Sequence, residues 1–326
     1  MRLDGRDPAA VEQAAEQLAA GELVAFPTET VYGLGARADD DAATAKIFAR
    51  KGRPTGHPLI VHVPDAAGAG AFAAHLSPVA ERLIDAFWPG PLTVIVARAP
   101  DRGAAAAGGQ STIGLRCPAH PVAHALLDAA RRRGVLGVAA PSANRFGRVS
   151  PTTAAHVLDE FGDDLLVLDG GACRIGIESS IVDCSGAEPV LLRPGMLARE
   201  RIEAAAGVAL GEPTAASPRA SGTLEAHYAP DAKVRLMPTA MLKTALQVIG
   251  PEALKLAVYS RSIPSGVAPG LVHRRMPARP EQAAHELFGV LREFDRAGIP
   301  LIWVEEPPPG PEWDGVRDRL RRAAAA

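Results

Sequence analysis

Cysteine, aromatic side chains and long apolar runs are all scarce in this sequence of 326 residues. Its three cysteines, Cys117, Cys173 and Cys184, form no CxxC pair, which excludes a disulfide framework and a thiolate zinc site. No run of roughly 18 apolar residues is present, and the N-terminal segment MRLDGRDPAAVEQAAEQL lacks the apolar core of a signal peptide. These absences predict a cytoplasmic protein with no membrane partner.

Positive charge is not in excess either, because the formal net charge is −2. Proteins that bind nucleic acid over a broad surface are usually basic, so any contact with tRNA would be local or transient. The sequence has no GxxxxGK[ST] loop, no GxGxxG after a strand, and no HExxH or GxSxG motif. Standard phosphate-loop and dinucleotide sites are thereby excluded. His62, His120 and His124 are interpreted as separate polar residues rather than metal ligands.

The residues that are present have an ordinary globular composition, 47% hydrophobic and 22% charged, over a length typical of two domains. In residues 1–206, short apolar strands and amphipathic helices mix without strict βαβ alternation, which predicts a mixed parallel and antiparallel sheet. Residues 207–230 are rich in Gly, Pro, Ser, Thr and Ala and are predicted to form a linker. Residues 231–326 alternate apolar strands with amphipathic helices, which predicts a smaller α/β domain with a largely parallel sheet.

Two polar constellations occur early in the N-terminal half. PTETVYGLG at residues 27–35 follows a short strand, and its glycines would let a ligand approach the backbone closely. A tight structural turn with a capping threonine is an equal alternative. KGRP brings Lys51 and Arg53 within reach of one anion, because Pro54 favours an extended conformation at Arg53. A basic helix C-terminus is the alternative for this pair.

Further polar groups lie at the ends of other predicted strands. APSAN, followed by Ser150, offers hydroxyl and amide groups where ligands bind in α/β proteins, although an Asx or Ser turn is the simpler alternative. Strands ending at Arg116 and Arg193 would match a triphosphate if both arginines reached one rim; otherwise each is a solvated surface charge. His227 and Tyr228 interrupt an otherwise aromatic-free linker, either as an anchor on the N-terminal domain or as an ordinary linker staple.

Together these motifs resemble the YrdC-like threonylcarbamoyl-AMP synthases. PTETVYGLG, KGRP with LIVHV, STIGLR, APSAN with VSPT, GIESSIVDC and LLRPG occur in the family's order and cover about residues 5–205. Each motif alone is modest, but six in order are highly specific. SGTLEAHYAP and the α/β segment after it resemble the longer members, which carry a C-terminal Rossmann-like domain. The resemblance implies a YrdC-like twisted mixed sheet with helices and a concave, positively lined cavity.

The resemblance also implies ligand contacts, residue by residue. Lys51 and Arg53 match the family's Lys-x-Arg pair, expected at the phosphates and in catalysis. The family often has Asn at the position of His57, and its linker commonly carries a Lys-rich stretch where this chain has residues 223–226. The implied L-threonine contacts are Thr30, His62, Arg116, Ala140 and Ser179. The implied ATP contacts are Arg53, His57, Thr112, Ser142, Asn144, Ser150, Arg193 and Tyr228, the last of these from a linker that acts as a lid.

The activity that the resemblance implies is a nucleotidyl transfer, in which L-threonine, bicarbonate or CO₂, and ATP give threonylcarbamoyl-AMP and pyrophosphate. A downstream threonylcarbamoyl transferase would then use the product to form threonylcarbamoyladenosine in tRNA. Mg²⁺ is expected on the ATP phosphates, without a dedicated protein metal site. One alternative is an RNA-binding factor, which the net charge disfavours. The other is a carbamoyl-adenylate enzyme of hydrogenase maturation, whose acylphosphatase-like and zinc-finger segments are not found before the YrdC-like motifs here.

Overall fold

The computed structural model describes residues 1–249, 255–264 and 270–326 and divides into two compact units. Unit 1 comprises Met1–Phe146 and Ser150–Thr223, and unit 2 comprises Gly147–Val149 and Leu224–Ala326. The division therefore falls inside the predicted linker. None of the helices in the described ranges combines the length and apolarity that a bilayer crossing needs.

Unit 1 is built on one mixed sheet with helices, as the sequence predicts. Its strands are β1 (Arg2–Asp4), β2 (Val24–Pro27), β3 (Tyr32–Arg37), β4 (Ile60–His62), β5 (Leu92–Ala97), β6 (Thr112–Arg116), β7 (Val138–Ala139), β8 (Leu166–Asp169), β9 (Ser180–Asp183) and β10 (Val190–Arg193). Its helices are α1 (Pro8–Ala19), α2 (Asp41–Lys51), α3 (Ala66–Ala69), α4 (Pro78–Phe87), α5 (Pro121–Arg132), α6 (Ala154–Phe161) and α7 (Arg199–Ala206). The strand order is β1-β8-β2-β3-β7-β4-β6-β5-β9-β10, with parallel pairs such as β4–β6 and antiparallel pairs such as β5–β6.

The sheet has apolar side chains on both faces. Along β2, Ala25 belongs to one core cluster, whereas Val24 and Phe26 belong to a second cluster with residues of α1 and α5. This alternation follows from the two-residue period of a strand. Phe26 is fully buried, and enclosing a side chain of this size stabilises the fold by roughly 1.5–3 kcal/mol.

Parallel pairing places two predicted site residues side by side. In the β4–β6 pair, His62 is in register with Arg116, and each is the last residue of its strand. Strands that run parallel end at the same edge of a sheet. The two side chains are therefore brought to one edge by the register, although more than one helix separates them in the chain.

The segment interpreted as a glycine-rich ligand loop is partly a strand. Residues 32–37 form β3, which pairs antiparallel with β2, so the connecting loop is limited to residues 28–31. A Cβ at Gly35 would lie 2.8 Å from side-chain atoms of both Phe26 and Val138. The glycine is needed for close packing within the protein, so its presence is explained without a ligand, and close approach of a ligand to this backbone stays a prediction.

Helix α2 sets the position of the basic pair. Asp40 caps its N-terminus, with Oδ1 accepting a hydrogen bond from the N–H of Ala42 at 2.8 Å. The helix ends at Lys51 because Gly52 adopts a left-handed conformation with φ of 64°. Lys51 and Arg53 consequently lie at the end of α2 rather than along its side.

Unit 2 contains a parallel sheet, which confirms the predicted α/β architecture. Its described elements are β11 (Lys233–Met237), α8 (Thr239–Val248), β12 (Leu256–Ser260), β13 (Val272–Arg275), α9 (Pro280–Arg296), β14 (Leu301–Glu305), a 3-10 helix (Pro311–Trp313) and α10 (Asp314–Ala324). The strand order is β11-β14-β12-β13, and all three pairings are parallel. At the carboxyl edge, Glu305 accepts hydrogen bonds from Thr239 Oγ1 at 2.6 Å and from the N–H of Arg261 at 2.7 Å.

Candidate active site

A buried arginine at the end of β6 organises the first part of the site. Arg116 donates from Nη2 to Glu29 Oε1 at 2.6 Å, from Nη1 to Thr30 Oγ1 at 2.9 Å, and from Nε to Gly90 O at 3.2 Å. The side chains of the ion pair are only 4% exposed for Arg116 and 3% for Glu29. The N–H of Ala119 donates to the second oxygen of Glu29 at 3.0 Å. The guanidinium is therefore fixed in one orientation.

This orientation leaves part of the Arg116 guanidinium for a ligand. An arginine has five N–H donors, and three of them are used in the bonds above; the other two meet no acceptor among the described residues. A pair of N–H groups on one guanidinium matches the two oxygens of a carboxylate. The arrangement at Thr30 and Arg116 thus suits an amino-acid carboxylate, as the predicted L-threonine contacts require.

His62 provides a neutral polar group next to Arg116. Its side chain is buried, its ring lies edge-on to Phe26 at 6.1 Å, and its Nδ1 atom has no hydrogen-bond partner in the described part of the chain. Burial, assisted by the positive charge of Arg116, lowers the pKa of His62 to about 3. The imidazole therefore stays uncharged near neutral pH and can make one hydrogen bond to a ligand.

Replacing His62 by glutamine tests this burial through the pH dependence of stability. Because the pKa of His62 falls from 6.5 to about 3 on folding, the unfolded chain binds the proton first as the pH drops below 6.5. The stability contributed by neutral His62 is complete above that pH and is lost as the pH falls towards 3. We expect wild type to lose about 2 kcal/mol more unfolding free energy than His62→Gln between about pH 7 and pH 5. Denaturant titrations at both pH values measure this; parallel losses would contradict the burial.

Lys51 anchors the second part of the site. Its Nζ atom donates to the backbone oxygen of Ser142 at 2.6 Å and to that of Asn144. Burial, together with the charge of Arg53, lowers the pKa of Lys51 well below its usual value. Lys51 therefore ties the predicted Lys-x-Arg segment to the predicted Ser-x-Asn segment, which lie far apart in the sequence.

Two arginines from distant parts of the chain meet at Ser221. Arg193 donates from Nη1 to Ser221 O at 2.7 Å, and Arg53 Nη2 lies 3.5 Å from Ser221 Oγ. Arg53 also donates to Pro58 O at 2.8 Å, whereas Arg193 donates from Nε and Nη2 to Ser179 O at 3.1 and 2.9 Å. Both guanidinium groups therefore border the same space, which the sequence alone could not establish.

Ser179 joins the two parts of the site. Its hydroxyl accepts a hydrogen bond from Arg193 Nη2 at 3.2 Å and lies 2.8 Å from the hydroxyl of Thr93. Ser179 is a predicted L-threonine contact, and Arg193 is a predicted ATP contact. Their direct bond places the two predicted ligand sets next to each other.

A narrow cavity lies beside Ser221 on the sheet. Thr112, Arg219 and Ser221 are among its lining residues, and it has about 10 Å³ of space for the centre of a water molecule, which is the room of roughly one water.

His57 lies edge-on to the ring of Phe146 at 5.4 Å. Burial, together with the charges of Arg53 and Arg219, lowers the pKa of His57. His57 therefore lies within electrostatic reach of both Arg53 and the cavity-lining Arg219.

Three other predicted contacts also lie in unit 1. Ala140 is buried just after β7, and its N–H donates to Ile60 O at 2.9 Å. Asn144 Nδ2 donates to the backbone oxygen of Arg145 at 2.7 Å, and Ser150 Oγ donates to Glu178 Oε1. Ser150 is thus paired with a carboxylate, which the sequence did not predict.

Tyr228 belongs to unit 2, unlike the other predicted contacts. Its ring lies 5.5 Å from that of Phe288 and 5.3 Å from the guanidinium carbon of Arg319. Its φ of 61° is left-handed, which is costly for an aromatic residue and requires strong local packing. The contact between Tyr228 and ATP stays a prediction.

Three residues of this constellation were not assigned a role from the sequence: Glu29, Glu178 and Ser221. Glu29 and Glu178 stand inside the motifs PTETVYGLG and GIESSIVDC, but no local pattern indicates which side chain they contact. Glu29 and Arg116 are 87 positions apart, and Arg53 and Ser221 are 168 positions apart. Only the tertiary fold brings these partners together.

Comparison with known proteins places the whole chain among characterised sequences. The family model described as "Telomere recombination" (Sua5, YciO and YrdC) matches residues 16–195, and the threonylcarbamoyl-AMP synthase C-terminal domain model matches residues 197–325. The chain is 37% identical to the threonylcarbamoyl-AMP synthase of Pyrococcus abyssi, over 93% of this chain and 91% of the relative. It is 35% identical to that of Bacillus subtilis, over 99% and 94%.

Solved structures agree with the sequence relatives. A variant of P. abyssi Sua5 with two alanine substitutions superposes with a TM-score of 0.89 at 34% identity, covering 99% of this chain and 96% of that one. The P. abyssi Sua5 complex with L-threonine superposes with a TM-score of 0.87 at 34% identity, covering 98% and 95%. The similarity therefore extends over both units of the chain.

Proposed function

This chain belongs to the threonylcarbamoyl-AMP synthase family, and from that premise we propose that it condenses L-threonine, bicarbonate or CO₂, and ATP into threonylcarbamoyl-AMP and pyrophosphate. The observation that carries the proposal is the meeting of Arg53 and Arg193 at Ser221, with Ser179 joining Arg193 to the predicted threonine contacts. A cationic space beside a carboxylate-binding group fits a nucleotide triphosphate next to an amino acid. The product would serve a downstream threonylcarbamoyl transferase that modifies tRNA.

The proposed reaction needs no protein nucleophile. The amine of L-threonine attacks CO₂ and loses a proton, which gives a carbamate. A carbamate oxygen then attacks the α-phosphorus of ATP in line, and the bond to the β-phosphate oxygen breaks to release pyrophosphate. Positioning and charge stabilisation supply the catalysis in such a transfer. Lys51, Arg53 and Arg193 would stabilise the negative charge that develops on the departing pyrophosphate.

The threonine end would be oriented by the first part of the site. Arg116, held by Glu29, would bind the substrate carboxylate through its two remaining N–H groups. His62, whose pKa is about 3, would be neutral and would therefore not repel a substrate amine in either charge state. The amine could thus lie between these residues and the predicted ATP contacts.

Residues 219–221 would act as part of a lid. The cavity beside Ser221, with room for roughly one water molecule, is too small for a nucleotide. We propose that this segment withdraws to admit ATP and returns to exclude water, which would otherwise hydrolyse the mixed anhydride. Arg53 and Arg193 would then exchange their contacts with Ser221 for contacts with the phosphates.

The carboxylation step can be tested by isotope incorporation. The protein is incubated with ATP, L-threonine, Mg²⁺ and ¹³C-labelled bicarbonate, and the nucleotide products are examined by mass spectrometry. We expect a labile adduct of threonine and AMP that carries the label from bicarbonate. AMP with pyrophosphate, but without any labelled adduct even after rapid cold quenching, would contradict the proposal.

Serine is expected to be a poor but measurable substrate. It differs from threonine by one methyl group, and an apolar slot for a methyl is worth about 1–3 kcal/mol, or roughly 10–200-fold in kcat/KM. The buried methyl of Ala140, a predicted threonine contact, is a candidate wall for that slot. Pyrophosphate release measured with each amino acid gives the ratio. Equal kcat/KM values for serine and threonine would rule out such a slot.

A further inference from the structure

Gln110 pairs with the main chain of Arg219 through both ends of its side-chain amide. Its Oε1 atom accepts a hydrogen bond from the N–H of Arg219 at 2.9 Å, and its Nε2 atom donates to Arg219 O at 3.1 Å. An amide that accepts and donates side by side can pair in the same way with any group that offers an adjacent donor and acceptor. Gln110 and Thr112, a predicted ATP contact, both line the cavity beside Ser221. The pairing therefore lies at the edge of the proposed nucleotide site.

An apolar surface lies next to this amide. Four buried residues form a small cluster on the sheet: Ile60, Ile95, Ile181 and Leu192. Ala220 packs against this cluster, and the three isoleucines line the same cavity as Gln110. Ligand sites combine such apolar walls with a few polar groups that fix the orientation of the ligand. A flat base that replaced Ala220 would lie with its face on the cluster and its polar edge towards Gln110.

Residues 219–221 reproduce the contacts of a nucleotide in order. Arg219 presents a donor and an acceptor to Gln110, and Ala220 covers the apolar cluster. Ser221 O accepts a hydrogen bond from Arg193 at 2.7 Å. A base edge, a base face and a phosphate oxygen make the same three kinds of contact. Residues 219 and 221 are at most about 7 Å apart along the chain, which is comparable to the separation of the base and the α-phosphate in a nucleotide.

The orientation of the Gln110 amide favours one type of purine. Its Nε2 atom also donates to Ala107 O in a longer contact of 3.4 Å. Reversing the amide would bring Oε1 against that carbonyl oxygen, so Oε1 stays the acceptor on the side of Arg219. Adenine offers the matching pattern, an N6 amino donor beside a ring-nitrogen acceptor, and glutamine pairs with adenine in this way. Guanine and hypoxanthine carry an oxygen acceptor at position 6, which would face Oε1 and be repelled.

We propose that Gln110 selects adenine in ATP by pairing with N6 and an adjacent ring nitrogen, and that the main chain of Arg219 occupies this place until the nucleotide enters. This inference rests on the proposed function, because it names the residue that recognises the base in the same site. The base and residues 219–221 compete for Gln110, so entry of ATP releases the segment. A glutamine that only held the segment would instead affect every nucleotide to the same degree.

Pyrophosphate release with ATP and with inosine triphosphate measures this selection. The two nucleotides differ only at positions 1 and 6 of the base, so their sugars and phosphates make the same contacts. With L-threonine, bicarbonate and Mg²⁺ in excess, we expect wild type to favour ATP by about 5–150-fold in kcat/KM, the discrimination given by one bidentate pair between a side chain and a base. Gln110→Leu keeps much of the side-chain volume without polar atoms, and its ATP-to-inosine triphosphate ratio should fall towards one.

Arg219→Pro is the matched control, because it loosens the segment without changing Gln110. Proline has no backbone N–H, so the bond that Gln110 Oε1 accepts is lost. This variant should change kcat/KM for both nucleotides by the same factor and keep the wild-type ratio. An unchanged ratio in Gln110→Leu, or a wild type that uses both nucleotides equally, would overturn the proposal and leave Gln110 as a structural contact of the segment.

Two further measurements on wild type complete the test. Should Gln110→Leu not fold, purine riboside triphosphate, which lacks only the 6-amino group of ATP, should give a lower kcat/KM than ATP; equal values would overturn the proposal. Calorimetric titration with ATP and with inosine triphosphate separates base selection from turnover. Turnover without a base preference contradicts the assignment of Gln110 and leaves the proposed function standing. Binding that favours ATP, without threonine-dependent pyrophosphate release, supports the assignment and contradicts the proposed function.

Discussion

Replacing Arg116 by methionine is expected to lower threonine-dependent pyrophosphate release by about 10³-fold, near the upper end for loss of one preorganised donor group. The guanidinium is the proposed carboxylate ligand, and methionine keeps much of its volume without its charge. The substitution also leaves Glu29 as a buried carboxylate without its cation, which costs about 3–5 kcal/mol of stability. Steady-state assays and denaturant titrations measure the two effects.

A double variant separates activity from stability in this prediction. In Glu29→Gln/Arg116→Met, the uncompensated charge is gone, so most of the lost stability should return. Activity should remain as low as in Arg116→Met, because the proposed threonine ligand is still absent. A stable double variant with a normal KM for threonine would show that Arg116 only supports the fold.

Replacing Arg53 by alanine is expected to lower kcat/KM for ATP by about 10²–10³-fold. Arg53 is buried at 7% exposure, and its guanidinium carbon lies 5.6 Å from the ring of Phe146. Its position beside Ser221 and Arg193 makes it a direct candidate for the phosphates. The KM for threonine should change much less, because the predicted threonine contacts are a separate set.

Arg50→Ala is the control for this substitution. Arg50 is on α2, three positions before Arg53, but its guanidinium pairs with Asp164, whose side chain is 69% exposed. An ion pair with an exposed partner contributes about 0–1 kcal/mol, and the hydrogen bond from Arg50 to Phe161 O at 2.8 Å adds about 0.5–1.5 kcal/mol. Stability should therefore fall modestly, and activity should change little. Equal losses of activity in the two variants, or no loss in Arg53→Ala, would remove Arg53 from the proposed site.

The fold was predictable where the pattern is local. Irregular alternation of strands and helices predicted the mixed sheet of unit 1, and regular alternation predicted the parallel sheet of unit 2. Strand β3 was missed because its residues, YGLGAR, contain two glycines and read as a loop. Gly35 is explained only by the side chains of Phe26 and Val138, which meet it across neighbouring strands. The strand propensity of a residue contains no information about such contacts.

The site was predictable as a set of motifs but not as a geometry. Lys51, Ser142 and Asn144 were assigned to one ligand by resemblance, and the bonds of Lys51 to both other residues explain how they are held together. Glu29 and Glu178 lie within the motifs but were assigned no role, because the partner of a carboxylate depends on the tertiary fold. The pairing of charges within the site could therefore be identified only from the structure.

Pyrophosphate release with L-threonine, bicarbonate and ATP omitted one at a time shows whether the protein joins all three substrates. We expect release only when all three are present, because the attacking oxygen belongs to a carbamate made from threonine and CO₂. CO₂-depleted buffer is needed for the bicarbonate omission, since dissolved gas would otherwise replace it. Release at the full rate without threonine, or in carefully degassed buffer without bicarbonate, would mean that the nucleophile is something else, and the proposed reaction would be wrong.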